Sequence, residues 1–215
     1  MPRLIDHDQR RKQIAAIVEE IVYEHGADAL TIRDVAGRVG CSTTVVSHYF
    51  RTKLEMLLFT HQLVRSRAEA LLEDAVRNRS SLEEALLALL PVSDQRKRDW
   101  NTWFAFWGMA PADPRVTAEW FEGASQAKSL FEDLIRIGQE KGEIVPAIEP
   151  RMGAMMVQVI MNGIASLWTQ ERDRFTVQTL RGLLHRMLAD AGLAQAFPER
   201  EEQTGRPGLA SVSAL

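Results

Sequence analysis

At 215 residues, 46% of them hydrophobic, the chain carries enough apolar material for one large or two small cores. A single cysteine excludes a disulfide framework within the chain and fits a reducing cytosol, and a formal net charge of −3 excludes the strong charge-driven grip on nucleic acid of a basic protein. Neither a charged-then-apolar leader nor an apolar run long enough to cross a bilayer is seen, so the expectation is a soluble, cytoplasmic protein with no membrane partner. Alternating apolar patterns are missing, whereas period-3.6 repetition runs through long segments, which predicts an all-α fold.

A first helix is predicted from Asp8 to His25, with Ile14, Ile17, Val18, Ile21 and Val22 as its buried stripe and Gly26 as its stop. Leu30 to Lys53 then reads as two short helices about a turn at Gly40. Thr31 caps the first, whose Ile32, Val35, Ala36 and Val39 share one face, and Ser42 caps the second, running from Thr43 to Phe50. Two helices joined by a tight glycine-containing turn form a helix-turn-helix, whose second helix can enter a major groove. Residues 1 to 60 hold eight basic and eight acidic residues, so this segment is neutral and the remainder supplies the negative excess. Arg10, Arg11 and Lys12 nevertheless open the first helix, and Arg33, Arg51 and Lys53 flank the reading helix.

Thr52 to Glu55 has the form of a capping box and starts a long helix that runs without a breaker to about Arg79, a lever between the two parts of the chain. A second box, Ser81 to Glu84, opens a short helix ending near Pro91, and another helix runs from Asp94 to Gly108. After the Pro111 and Pro114 loop, Asp113 caps a helix ending at Gly142. The last two helices are predicted from Pro150 to about Gln170 and from Thr176 to Ala191, followed by a mobile tail past Pro198 with too little apolar material to fold. The domains so drawn are a three-helix helix-turn-helix domain at 1–52, a larger helical effector-binding and dimerisation domain at 53–197, and a flexible tail at 198–215.

The stretch TIRDVA…G(C)S…HYF..K resembles the amino-terminal domain of the TetR family of bacterial transcriptional regulators. The resemblance implies that Arg33, Thr43, Thr44, Val45 and Ser47 face DNA, that Thr31, His48, Tyr49 and Lys53 grip phosphates, and that Val46 and Phe50 are core. It also implies a homodimer on a double-stranded, pseudo-palindromic operator, most often as a repressor released by a small-molecule effector.

The helix from Pro150 is apolar on nearly all sides, with Gly153, Ala154, Gly163 and Ala165 permitting close approach among Met155, Met156, Val159, Ile160 and Leu167. Burial on several sides predicts a partner subunit, with Gly153, Met156, Ile160, Gly163 and Leu167 at the interface; the family resemblance implies a four-helix dimer interface there. The competing reading is the central helix of a monomeric bundle.

Trp100, Trp103, Phe104 and Trp107 fall on one face of their helix, directed into the domain, and Trp120, Phe121 and Trp168 lie on helices that could face them. Such a stripe is either ordinary core or the wall of a cavity for a cation, with Glu119, Glu122 or Glu171 as its carboxylate. The W..W.AFW pattern is similar to the carboxy-terminal domain of BetI-type regulators, which respond to choline. Cys41 at a helix start reads as a packed turn residue, the five histidines show no metal spacing, and no phosphate loop or nucleophile elbow is present. The chain is therefore expected to use no cofactor and to be no enzyme; the alternative is a helical enzyme or metabolite-binding protein whose helix-turn-helix has no regulatory use.

Overall fold

A computed structural model describes residues 7–108, 113–171 and 174–195. The expected tail and most of the Pro111 loop lie outside the described residues. Among the described residues there are nine α-helices and no strand, so the fold is all-α as expected.

The first core is built by α1 (His7–His25), α2 (Ile32–Val39) and α3 (Thr43–Tyr49). Ile14, Val18, Ile21 and Val22 of α1 meet Val35 and Ala36 of α2, Val46 of α3 and Phe50. One 3₁₀ turn at Ala27–Ala29, absent from the sequence expectation, feeds into α2. Thr31 caps α2 by accepting from Asp34 N, and Gly40 ends it at φ 72, the left-handed conformation that costs glycine least. Ser42 caps α3 by accepting from Val45 N. Phe50 is extended and ends α3 at Tyr49, one residue earlier than expected.

The first core also takes in Met56 and Leu57 from α4 (Lys53–Arg77), which continues into the second core through Leu72 and Ala75. At its start Thr52 accepts from Glu55 N, but the Glu55 carboxylate accepts from Arg51 N at 2.7 Å, so the expected capping box closes on the residue before Thr52. The box at Ser81 and Glu84 is complete and opens α5 (Leu82–Leu89).

Around the second core stand α6 (Asp94–Trp107), α7 (Pro114–Glu140), α8 (Pro150–Gln170) and α9 (Val177–Asp190). α7 packs along both α8 and α4, and α6 wedges between α1 and α4. That position corrects the aromatic-stripe expectation: the buried face of α6 is Asp99, Thr102 and Phe106, because α1 and α4 cover that side. α8 also departs from expectation. It reaches the length and mean hydropathy, 1.2, of a spanning segment, with 44% of that window buried in the chain's own core.

Candidate functional site

Of the seven residues of α3, only Val46 is buried, and Thr43, Thr44, Val45, Ser47 and His48 all face outward. The half-buried Tyr49 ring sits 5.2 Å from His48 and 5.6 Å from His7, which fixes it against the start of α1. Arg33 is exposed on α2. Two of the expected phosphate ligands already have intramolecular partners: the Thr31 hydroxyl is bonded to Asp34, and Lys53 Nζ donates to Asp28 O at 3.4 Å. The basic start of α1 is also thinner than the sequence suggests. Arg11 lies 4.1 Å over Phe59 and 5.1 Å over Phe50, so its charge is spent on ring faces within the fold.

Inside the second domain a cavity of about 120 Å³ opens between α4, α6, α7 and α8. Trp100 and Trp103 form its aromatic wall, and Trp100 is held in place by donating from Nε1 to Leu89 O at 2.7 Å. Glu69 and Asp99 bring carboxylates to the lining, and Arg65 and Arg96 bring guanidinium groups. Arg65 Nε lies 3.2 Å from Glu119, and its terminal nitrogen 3.5 Å from Glu69. Asp99 takes both Arg96, at 2.8 Å, and Arg67, at 2.5 Å, and Arg67 also binds Glu19 at 2.7 Å. These are two networks: Arg67 and Arg96 balance Glu19 and Asp99, whereas Arg65 alone faces the two carboxylates Glu69 and Glu119.

Glu69 carries the unbalanced charge. Burial pushes its carboxyl above the usual range, and Glu73, Glu119 and Glu122 push the same way against the opposing pull of Arg65. For Arg67 burial acts against the charged form, but the bonds from Glu19 and Asp99 outweigh it and hold the guanidinium ionised. His61, beside this group, is pushed down to about 3 by burial and then by the Arg65 charge. Its 3.8 Å separation from Glu119 is therefore not an ion pair, because the imidazole is neutral at ordinary pH.

Several expected site residues lie elsewhere. Trp100 and Trp103 line the cavity, whereas Phe104, Trp107 and Trp120 form an outward ladder with ring centroids 6.0 and 6.4 Å apart, and Trp107 is 40% exposed. α6 turns this edge away from the neighbours that bury Phe106. Trp168 is buried in the second core with Leu180 and Leu184 and does not line the cavity. Glu119 is held by Arg65 and Gln62, Glu122 is exposed, and Glu171 pairs with Arg174, so none of the three expected carboxylates reaches the cavity. On α8, Gly153 is filled against Ile135, Ile148 and Leu193 of the same chain, and Ile160 belongs to the core. Met156 is half-buried there, while Gly163 faces open space and Leu167 is exposed. Together with Met152, Met155 and Val159, these last two mark an exposed apolar stripe. Sequence reasoning missed Glu19, His61, Arg65, Arg67, Glu69 and Asp99. One signal was available: Asp99, Thr102 and Phe106 recur at helical spacing beside the aromatic stripe.

Both parts of the chain match families of transcriptional regulators. Residues 15–58 match the bacterial regulatory proteins of the tetR family, and residues 77–192 match the BetI-type transcriptional repressor, C-terminal. These matches define a DNA-binding helix-turn-helix regulator. The chain belongs to the TetR family, with a carboxy-terminal domain of BetI type. It is 34% identical over 110 residues to the HTH-type transcriptional regulator PksA of Bacillus subtilis (strain 168), covering 49% of this chain and 54% of PksA. To the HTH-type transcriptional regulator BetI of Escherichia coli O17:K52:H18 it is 33% identical over 126 residues, covering 54% of this chain and 63% of BetI. The chain thus spans between half and two thirds of the length of these curated relatives. Its fold is shared with a transcriptional regulator from Saccharomonospora viridis in complex with choline, at a TM-score of 0.74 and 17% identity, over 84% of this chain and 96% of that one.

Proposed function

We propose that this regulator is a repressor that binds a pseudo-palindromic operator as a homodimer and lets go when a small organic cation occupies the cavity. The observation that carries the cation is the cavity wall: two tryptophan rings stand with Glu69, which shares the one guanidinium group of Arg65 with a second carboxylate, Glu119. A cation completes that charge balance, and each ring face adds roughly 0.5–2 kcal/mol to a desolvated cation. The choline held by the regulator of like fold from Saccharomonospora viridis supports the same chemistry.

On the DNA side, the outward residues Thr43, Thr44, Val45 and Ser47, with Arg33, read base edges, and Thr31, His48, Tyr49 and Lys53 hold phosphates. Lys53 must leave the Asp28 carbonyl to do so. Two copies join through the exposed stripe of α8, where Gly163 lets a second helix approach closely. Their α3 helices then sit roughly 35 Å apart, one turn of duplex.

The test starts with an operator fragment selected from genomic DNA by the purified protein. Choline is titrated while tryptophan fluorescence and operator binding are followed. Choline is expected to change the fluorescence and lower operator affinity, and Glu69→Gln to weaken choline at least ~10-fold by removing a desolvated counter-charge. Equal binding of 3,3-dimethylbutanol, the neutral analogue of choline, would remove the cation from the reading.

A further inference from the structure

Glu19, Arg67 and Asp99 form one ionic cluster across three helices, and Asp99 alone among them lines the cavity. Glu19 stands on α1, one of the helices that build the core beneath the reading helix, and Asp99 on α6. Arg67 on α4 donates to Glu19 Oε1 and to Asp99 Oδ1 from the same terminal nitrogen. Gln95 repeats the bridge, donating from Nε2 to Glu19 Oε2 and to Asp99 Oδ1 at 3.0 Å each. Both carboxylates are nearly closed off, at 5% and 6% side-chain exposure, while Arg67 retains 33%. The reading domain is thus tied to the cavity wall by two parallel polar bridges that end on a single carboxylate.

Resting on the cation reading above, we infer that this cluster is the link through which cavity occupancy repositions the DNA-reading domain. A ligand moves an equilibrium only by contacts that differ between the two states. Here the differing contact is Asp99: a cation seated beside Glu69 and the tryptophan rings also faces its carboxylate, and competes there with Arg96, Arg67 and Gln95. Released from Asp99, Arg67 reaches the solvent to which it is already partly open, and Glu19 loses its tether to α6. α1 then takes a second position against α6, carrying α2 and α3 with it. In a low-dielectric setting such bonds are strong and discrete, so the cluster has two arrangements and no continuum between them.

Glu19 and Arg67 do not line the cavity, which separates coupling from ligand binding in the test. Glu19→Met, which keeps the volume and removes both acceptors, Arg67→Met, which keeps an apolar stem and removes the donors, and the double variant are compared with wild type on the selected operator. Choline is the probe, its binding is read by tryptophan fluorescence, and melting curves confirm folding. Should Glu19→Met melt far below wild type, the isosteric Glu19→Gln takes its place with the same reading. Each variant is expected still to bind choline, because Trp100, Trp103 and Glu69 are untouched, with an affinity that shifts only through the changed competition at Asp99. The choline-dependent loss of operator affinity, in the range of about 5–150-fold usual for such couplings, is expected to fall to less than about a third of the wild-type factor, and no further in the double variant. Variants that bind choline and release the operator as wild type does overturn the link. If wild type itself ignores choline, the cation reading fails and the link is judged on the ligand-free protein. There Glu19→Met and Arg67→Met must change operator affinity by one common factor that the double variant does not exceed; no change, or changes that multiply, overturns it.

Discussion

The imidazole of His61 lies flat on Phe106, ring centroids 3.9 Å apart and planes inclined by 15°, and it also stacks on Trp103 at 5.0 Å. Its side chain is fully buried, and among the described residues neither ring nitrogen has a hydrogen-bond partner. A histidine in this setting acts as an aromatic spacer between α4 and the cavity wall, and its unpaired nitrogens make the spacer costly to protonate.

That cost sets a pH dependence. With its native value lowered to about 3 from an ordinary 6.5, His61 takes up a proton in the unfolded chain throughout that window and not in the folded one. Its contribution to stability is therefore fully present above pH 6.5 and falls as pH drops toward 3, with a slope of up to about 1.4 kcal/mol per unit. His61→Phe preserves the stack and removes the proton site. Its melting temperature is expected to decline less steeply than that of wild type between pH 6.5 and 4, and parallel curves would refute the assignment.

Gly123 has no room for a side chain except at the expense of Arg65, whose Cδ lies 2.6 Å from where a Cβ would stand. Because the obstacle is the stem of a side chain held by Glu119 and Glu69, its displacement breaks those pairs, and Gly123→Ala is expected to melt below wild type despite alanine's helix preference of about 1 kcal/mol. The displaced guanidinium and the new methyl intrude on the cavity, so choline affinity is expected to drop several-fold. Calorimetric titration beside a melting curve checks both halves.

At the DNA surface two kinds of loss are expected. Tyr49→Ala and Lys53→Ala weaken binding to every sequence, and Lys53→Ala, which removes a positive charge from a phosphate, also lowers the salt slope by about 1, whereas Tyr49→Ala leaves it unchanged. Arg33→Ala and Val45→Ala change which bases are preferred, by about 1–3 kcal/mol at the affected position. Binding assays at several salt concentrations on an operator and its point variants separate the two; four variants indistinguishable from wild type would reject this face.

The buried and exposed sides of α8 give opposite outcomes. Val159, 72% exposed, and Gly163, facing open space, accept a glutamate without disturbing the monomer, so Val159→Glu and Gly163→Glu are expected to yield folded monomers with reduced operator affinity. Ile160, 6% exposed, does not, and Ile160→Glu is expected to unfold the domain at a cost of several kcal/mol. Sedimentation and circular dichroism decide; a folded, dimeric Val159→Glu would place the interface elsewhere.

The helix-turn-helix was legible because its signals are local: Thr31, Gly40 and Ser42 each act on backbone groups within a few residues of themselves. The cavity was not, because Glu69 and Asp99 come from different helices and meet only when α6 wedges against α4. On α6 both the 100, 103, 107 and the 99, 102, 106 series have helical spacing, and periodicity alone does not say which one α1 will cover. Gly153 shows the same gap. A small residue announces a close neighbour, and the neighbours proved to be Ile135, Ile148 and Leu193 of its own chain.

A helix anchored by only two side chains, the buried Val46 and the half-buried Tyr49, leaves the rest of its sequence free. Since Val46 alone of α3 is buried and Ser42 supplies the cap from outside the helix, Thr43, Thr44, Val45, Ser47 and His48 can all be exchanged at little cost to folding. Recognition and stability are thereby assigned to different residues of the same two turns. A library randomised at those five positions should consist mostly of folded proteins, which makes this chain a scaffold on which new operator preferences can be selected without repairing the core after each change.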